Sequence, residues 1–219
     1  MAGKWVTLYG DVGLGKTTLT GQLPGVVIAQ DGMRKGAAHL KVKTVDVLDE
    51  GSFLKLQQMK ELPKWLVIDD FSLMVDRWVA DRYTREAQRN AEKNWNSKPH
   101  LQSLIQALYN EAVMPTLFGL MAKDVNLCVV CHKRTMNEET PDGSREVKCP
   151  DLPPTLCEML VRCSQVVAYV WLPVNGKLTA LLHPYADGKQ RIVAKRTGNM
   201  GGTDRMLGDA FVTWLGKWG

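Results

Sequence analysis

The sequence lacks any apolar run that could cross a bilayer. Its longest apolar runs, such as residues 66–68 and 127–131, are far shorter than the ~20 residues that a membrane-spanning helix needs. The amino-terminal stretch MAGKWVTLYG also lacks the hydrophobic region of a signal peptide. We therefore expect an unexported, cytoplasmic protein that has no membrane partner.

Cysteine is scarce and irregularly spaced. Five cysteines, an odd number, do not form a disulfide framework in a chain of 219 residues, so we expect free thiols and a reducing compartment. Cys128 and Cys131 have the C-x-x-C spacing, but on a strand their side chains point to opposite faces and cannot share one ion. Cys149, Cys157 and Cys163 have no zinc-ribbon spacing. The sequence therefore predicts no structural zinc.

Internal repeats, low-complexity tracts and an interdomain linker are also absent. With 45% hydrophobic and 23% charged residues the composition is that of a globular protein, which excludes disordered and fibrous classes. The length predicts a single domain over residues 1–219. The net charge of +5 is concentrated in residues 177–219, which suits either a polyanionic ligand or an ordinary basic surface.

Short runs rich in Val, Ile and Leu alternate with longer helical stretches, which is the pattern of crossover units in a parallel sheet. Predicted strands are residues 5–9, 26–29, 42–45, 65–69, 126–131, 166–171, 177–183 and 191–194. Predicted helices are residues 16–22, 52–61, 72–93, 101–123, 154–161 and 203–217, with an interruption at Pro115. The turn signal Pro-Val-Asn-Gly at 173–176 predicts an antiparallel end to the sheet.

A glycine-rich segment between the first strand and the first helix carries the strongest functional signal. Residues 10–17, Gly-Asp-Val-Gly-Leu-Gly-Lys-Thr, match the phosphate-binding pattern G-x-x-x-x-G-K-[ST]. Glycines let successive backbone N–H groups surround phosphate oxygens. Lys16 is expected to contact the β- and γ-phosphates, and Thr17 to ligate Mg²⁺. The predicted ATP-binding residues are Gly10, Asp11, Val12, Gly13, Leu14, Gly15, Lys16, Thr17 and Thr18.

A second motif, Trp-Leu-Val-Ile-Asp-Asp at residues 65–70, ends a predicted buried strand in two carboxylates. Asp69 fits the Walker B role, in which a carboxylate holds Mg²⁺ directly or through water. Asp70 has two interpretations. It is either a catalytic residue or the cap of the helix that begins near Ser72.

The order of these motifs resembles that of the RecA-like phage ATPases. Besides the P-loop it includes residues 27–32, the VIDDFSLM segment, residues 129–133 and residues 194–198. The resemblance covers roughly residues 3–200 and is greatest to the Sak-type single-strand-annealing recombinases. It implies an α/β fold with a RecA-like P-loop NTPase core. In this fold a mainly parallel central sheet is flanked by helices and ends in an antiparallel C-terminal hairpin.

The resemblance also implies roles for individual residues. Asp31 matches the acidic residue that activates the attacking water, although a turn residue is an equal interpretation. His132 matches a polar residue that senses the γ-phosphate, with a surface imidazole as the alternative. Lys195 and Arg196 resemble a cationic element that enters a neighbour's site in trans, and Arg196 is the stronger candidate because Ala194 replaces the expected lysine. Lys16 is the remaining catalytic candidate.

Two segments are candidates for DNA contact. Residues 134–153 predict a long exposed loop where RecA-like proteins contact DNA, but acidic side chains outnumber basic ones there. The helix after Asp70 carries a basic stripe, which is also typical of a solvated helix face. The candidate residues are Arg134, Arg145 and Lys148 in the first segment and Arg82, Arg85 and Arg89 in the second.

The sequence and the resemblance together predict a phage recombination ATPase that uses ATP and Mg²⁺. It would assemble with itself into a ring or filament, bind single-stranded DNA, and promote annealing or strand exchange with DNA-stimulated hydrolysis. A single-stranded-DNA-binding protein is an expected partner. Two alternatives remain: a small P-loop nucleotide or small-molecule kinase, whose lid could lie within residues 82–98, and an ATP-dependent clamp or loader without DNA contact of its own.

Overall fold

The structure is a computed structural model and describes residues 3–93, 97–141, 143–172, 176–187, 189–197 and 203–218. Its strands are β1 (Trp5–Gly10), β2 (Val26–Asp31), β3 (Lys43–Val47), β4 (Trp65–Asp69), β5 (Asn126–Thr140), β6 (Gly143–Pro150), β7 (Val166–Trp171), β8 (Thr179–Leu181), β9 (Tyr185–Ala186), β10 (Gln190–Ile192), β11 (Lys195–Arg196) and β12 (Arg205–Leu207). Its α-helices are α1 (Lys16–Thr20), α2 (Glu50–Leu54), α3 (Phe71–Glu92), α4 (Leu101–Leu108), α5 (Met114–Met121), α6 (Pro154–Cys163) and α7 (Gly208–Trp218).

The central sheet has the strand order β12-β8-β7-β1-β5-β4-β2-β3. The six strands from β7 to β3 in this order are parallel, whereas β8 and β12 are antiparallel to their neighbours. The predicted class, a mainly parallel sheet flanked by helices with an antiparallel C-terminal hairpin, is confirmed. This is the arrangement expected of a RecA-like core. Most of the predicted turn at residues 173–176, namely 173–175, lies outside the described residues.

Apolar clusters cover both faces of the sheet. Every residue of β1 is buried, as expected for a central parallel strand. Alternate side chains of β1 enter opposite clusters, with Trp5 packing on one face and Val6 on the other. Cys128 and Cys131 likewise lie in opposite clusters, as their spacing predicted. Among the described helices none combines the length and the apolar character needed to span a membrane.

The predicted loop over residues 134–153 is wrong. Strand β5 continues past the sheet to Thr140 and forms an antiparallel ribbon with β6, in register from Lys133 opposite Pro150 to Thr140 opposite Gly143. Strand β10 then adds to β6 in parallel. The segment was predicted to be a loop because it contains prolines, Gly143 and alternating charges. The ladder hydrogen bonds that make it a ribbon come from partners distant in the sequence.

Two predicted helices also differ from those in the structure. A π-helical turn at Tyr109–Val113 separates α4 from α5, and Pro115 lies in the first turn of α5, so the predicted interruption is confirmed. A proline is tolerated there because the first turn of a helix leaves its N–H groups unpaired. The predicted helix at 203–217 is wrong at its start, because Arg205–Leu207 pairs with β8 and α7 begins at Gly208.

Candidate functional site

The carboxyl ends of the parallel strands bring the predicted site residues to one edge of the sheet. Gly10 lies opposite His132 in the β1–β5 pairing, and Gln30 lies opposite Asp69 in the β2–β4 pairing. A cleft of about 330 Å³ opens at this edge. Its lining includes residues 12–18 and the side chains of Asp31, Asp69, Asp70 and His132.

The glycine positions of the P-loop have distinct physical reasons. Gly13 and Gly15 have φ angles of 78° and 79°, in the left-handed region where a side chain is disfavoured. A Cβ on Gly10 would lie 2.3 Å from the carbonyl oxygen of Val170 on β7. The loop therefore turns tightly out of β1 and enters α1 at Lys16.

Lys16 is buried against the loop that precedes it. Its Nζ donates hydrogen bonds to the carbonyl oxygens of Gly10, at 3.0 Å, and Asp11, at 2.7 Å. Burial lowers the pKa of Lys16, and the carboxylates of Asp70 and Asp69 oppose this shift. The ammonium group thus lies inside the cleft, near the loop and the carboxylates of Asp69 and Asp70.

Asp69 and Thr17 form the expected pair for a magnesium ion. The hydroxyl of Thr17 donates to Oδ2 of Asp69 at 2.5 Å. Burial raises the pKa of the Asp69 carboxyl, and the hydrogen bond from Thr17 counteracts this. The described residues contain no group of three or more His, Cys, Asp or Glu that could hold a metal. Mg²⁺ at nucleotide sites takes few protein ligands besides phosphate oxygens and water, so these two oxygen ligands fit it.

Asp70 is the N-cap of α3 and also contacts His132. Its Oδ1 accepts the backbone N–H of Ser72 at 3.1 Å, which confirms the predicted cap. Its Oδ2 lies against Nε2 of His132. The backbone N–H of His132 donates to the hydroxyl of Ser72 at 3.0 Å. The contact with Asp70 and the backbone hydrogen bond to Ser72 place His132 beside the start of α3. The catalytic roles of Asp70 and His132 remain predictions.

Asp31 lines the cleft with its carboxylate already bonded. Oδ1 accepts the N–H of Met33 at 3.0 Å and pairs with Nη1 of Arg77 at 2.6 Å. The Asp31 side chain is 5% exposed. The geometry supports the turn interpretation of Asp31, and its role in activating water remains a prediction. Arg77 was missed because an arginine inside a helix carries no motif.

Three further side chains, two that line the cleft and one that pairs with the P-loop beside it, were missed by sequence reasoning. Lys133 forms an ion pair with Asp11 at 2.8 Å, and this hydrogen bond raises the lysine pKa. Arg34 and His39 line the cleft from the segment after β2, and Nε2 of His39 lies 3.4 Å from the hydroxyl of Thr18. The position of Lys133, directly after His132, was the one available signal.

Lys195 and Arg196 lie away from the cleft of their own chain. Strand β11 pairs with Val166 and Val167, the first residues of β7, at the amino edge of the sheet. Nζ of Lys195 donates to the carbonyl oxygens of Val161 and Arg162 near the end of α6. Nη2 of Arg196 lies 3.6 Å from Asp204. An action of Arg196 in trans remains a prediction.

The basic side chains predicted to contact DNA on residues 134–153 lie on the β5–β6 ribbon. Arg145 pairs with Glu138 at 2.6 Å, and Lys148 pairs with Glu146 at 3.2 Å. Arg134 is exposed and borders an apolar groove next to α6. Their charges are therefore partly neutralised within the ribbon.

The basic stripe on α3 is not a free helix face. Arg82 binds Glu50 at 2.6 Å and Glu111 at 3.0 Å, and its side chain is 15% exposed. Arg85 also reaches Glu50, at 3.3 Å. Arg89 pairs with Glu86 on the same helix. Arg82 thus connects α3 to α2 and to the π-helical turn, and its contact with DNA remains a prediction.

Comparisons with known proteins gave little beyond the fold. No protein-family model matches the sequence. No curated protein matches it either. Among solved structures, the chain is similar to the flagellar accessory protein FlaH from Methanocaldococcus jannaschii, with 13% sequence identity and a TM-score of 0.43. The similarity covers 82% of this chain and 76% of that one.

Proposed function

We propose that this protein is a RecA-like ATPase that binds and hydrolyses ATP. The observation that carries the proposal is the meeting of the P-loop, Asp69 and His132 at one cleft. Backbone N–H groups of the loop and Lys16 would hold the phosphates, and Thr17 with Asp69 would hold Mg²⁺. The ion supplies charge neutralisation at the γ-phosphate when it is bound.

We further propose that the protein acts on single-stranded DNA in phage recombination. Support comes from the continuity of β5. His132, at the cleft, and Arg134, on the ribbon, belong to the same strand, so a displacement of His132 would be passed along the backbone to Arg134. His132, which would contact the γ-phosphate, is thereby connected to a projecting ribbon that carries Arg145 and Lys148.

A second candidate is an ATP-dependent clamp or loader that does not itself contact DNA. The ion pairs within the ribbon favour it, because neutralised side chains release few counterions from a phosphate backbone. The kinase alternative has less support. Arg82 and Arg85, within its proposed lid, are held by Glu50 rather than pointing into the cleft.

The test is ATP hydrolysis with and without an oligodeoxythymidylate. Lys16→Ala should abolish hydrolysis and most nucleotide affinity, because the ammonium contacts phosphate. Lys60→Ala is the matched control, because Lys60 is an exposed side chain in the segment before β4, at the opposite edge of the sheet.

Three results separate the candidates. Hydrolysis that rises with the oligonucleotide supports the recombination ATPase. Hydrolysis that is indifferent to it supports the clamp or loader. Near-normal hydrolysis by Lys16→Ala would remove the P-loop assignment.

A further inference from the structure

A second cleft, of about 280 Å³, lies between strands β7, β8 and β12 of the central sheet and the small sheet of β6, β9 and β10. Tyr169 and Trp171, two residues apart on β7, face this cleft together. Their rings are stacked, with centroids 5.8 Å apart and an interplanar angle of 7°. Tyr185 contributes a third ring from β9.

This aromatic wall is anchored in the core. Tyr9 of β1 packs on Tyr169 with ring centroids 5.2 Å apart. Tyr169 is buried, whereas Trp171 and Tyr185 are partly exposed. A flat aromatic surface that is already ordered in the protein binds an unpaired nucleobase with little loss of side-chain entropy.

The charges of the cleft suit a phosphodiester backbone. Lys148 and Arg205 line it, and its lining residues, all in the described part of the chain, include no Asp or Glu. Nearby carboxylates are Glu146, which pairs with Lys148 at 3.2 Å, and Asp187, which accepts the Tyr185 hydroxyl at 2.8 Å. Arg205 is exposed at the rim.

The cleft does not suit a nucleoside triphosphate. Triphosphates are held by glycine-rich loops and helix N-termini, whose N–H groups converge on several charges. The lining of this cleft comes from strands and from Tyr185, Gln190 and Arg205 at their ends, without a glycine. Two separated cations beside aromatic rings match the single charge per nucleotide of a strand.

Hydrogen bonds connect the wall of the cleft to β1, the strand that leads into the P-loop. The hydroxyl of Tyr9 donates to the carbonyl oxygens of Lys148, at 3.0 Å, and Val193, at 2.6 Å. Lys133 pairs with Asp11 of the P-loop. Burial raises the pKa of Tyr169, and the charge of Lys133 opposes this shift. The wall of the cleft and the phosphate-binding loop thus share β1 as a common support.

We propose that the cleft formed by Tyr169, Trp171, Tyr185, Lys148 and Arg205 is a base-stacking site for single-stranded nucleic acid. The inference rests on the proposed function, because it locates where a strand would be held. It also assigns the contact to the junction of the two sheets rather than to the ribbon alone. One unpaired base stacks against Trp171, and the flanking phosphates lie near Arg205 and Lys148.

The test measures binding of labelled oligodeoxythymidylate by fluorescence anisotropy. Trp171→Ala should weaken binding about tenfold, because stacking of one base on an aromatic side chain contributes at this level. Trp214→Ala is the matched control, since Trp214 is a partly exposed tryptophan on α7 that stacks on Trp218. An oligomer of abasic deoxyribose phosphate should bind wild type and Trp171→Ala equally.

Two further variants test the same site if Trp171→Ala folds poorly. Trp171→Phe should retain most affinity but lose the quenching of tryptophan fluorescence that the oligonucleotide causes. Arg205→Ala should reduce the slope of log Kd against log salt concentration by the amount expected for about one phosphate contact. Trp171→Phe should leave that slope unchanged. Oligouridylate in parallel distinguishes RNA from DNA as the strand.

The outcomes distinguish this site from the proposed function. Oligonucleotide binding that is equal in wild type, Trp171→Ala and Arg205→Ala overturns the cleft but leaves single-strand binding intact. Quenching that persists in Trp171→Phe also overturns it. Failure of the wild type to bind any single strand overturns both this site and the DNA-directed function.

Discussion

Asp69 illustrates at the scale of one residue how a functional group lowers stability. Its carboxylate is buried at the end of β4 because the site needs an anion there. Burial raises the pKa of Asp69, so the folded protein disfavours its ionised form. This cost is present above the folded-state pKa and is lost as the pH falls below the unfolded value.

We therefore predict that Asp69→Asn stabilises the protein while it abolishes Mg²⁺-dependent hydrolysis. The amide oxygen can still accept the hydroxyl of Thr17, and no charge is buried. The free energy of unfolding at neutral pH should rise, and the difference should shrink as the pH is lowered through the pKa of the Asp69 carboxyl. Denaturant titrations across this pH range measure it, with exposed Asp81→Asn as control. A loss of stability at neutral pH would contradict the prediction.

Asp70 and His132 contact each other, and the effects of Asp70 on hydrolysis and on stability can be measured separately. We predict that His132→Ala lowers hydrolysis by about 10²-fold and preserves nucleotide affinity, because the imidazole lines the cleft and, in its proposed role, senses the γ-phosphate rather than holding the nucleotide. Asp70→Ala should lower hydrolysis and also cost about 1 kcal/mol of stability through the lost cap of α3. Asp70→Ser retains a capping hydroxyl and so separates these effects.

A double variant tests whether the two residues act as a unit. Hydrolysis by Asp70→Ser with His132→Ala should then be no lower than that of the more impaired single variant. Turnover that falls by the product of the two single effects would show that Asp70 and His132 act independently.

At the scale of elements, the sequence was most informative where one element carries its own signal. The buried strands β1, β4 and β7 were predicted within one residue at each end, because continuous apolar runs between polar residues specify them. The P-loop followed from its glycines and Lys16. Its partner His132 could be placed only through the order of strands, which the resemblance supplied.

The ribbon of β5 and β6 was not predictable in this way. Its side chains are mostly exposed beyond Lys133, so no apolar period marks it. What stabilises it is the backbone ladder together with cross-strand pairs such as Glu138 with Arg145. Such contacts depend on which segments meet in three dimensions. The ion pairs of Arg82 and Arg77 could not be predicted from the sequence for the same reason.

The Arg82 network predicts a structural effect of removing a basic side chain. Arg82→Ala leaves Glu50 and Glu111 without their shared partner, so the free energy of unfolding should fall by about 2 kcal/mol. Arg89→Ala is the control. Its side chain is 69% exposed, and its loss should change stability by less than ~0.5 kcal/mol.

Both variants should bind oligodeoxythymidylate like the wild type. Normal stability combined with weakened oligonucleotide binding in Arg82→Ala would instead support the predicted DNA contact of the α3 stripe.

At the scale of the whole molecule, the P-loop and Arg196, both proposed to act in hydrolysis, lie at opposite edges of the central sheet. Gly10 pairs with Val170, whereas Arg196 pairs with Val166 on the same strand. At ~3.3 Å per residue, Arg196 lies about 13 Å from the level of the P-loop. Within one chain it would therefore not reach a phosphate held by the P-loop, and the proposed role in hydrolysis would need a neighbouring subunit.

We predict that Arg196→Ala lowers turnover by about 10³-fold while the isolated subunit still binds nucleotide through Lys16 and Thr17. Lys195→Ala is the neighbouring control, because its ammonium bonds carbonyl groups near the end of α6. Its effect on turnover should be small. The decisive measurement mixes Arg196→Ala with Lys16→Ala, because a mixed assembly can place an intact P-loop against an intact Arg196.

Partial recovery of hydrolysis, greatest at intermediate mixing ratios, is the expected result. Each inactive protein then supplies what the other lacks, and the recovered rate should depend on total protein concentration as assembly does. If the two proteins co-assemble and no ratio restores hydrolysis, the trans role is wrong. The contact of Arg196 with Asp204 would then be its function, as a link between β11 and the segment that leads into β12.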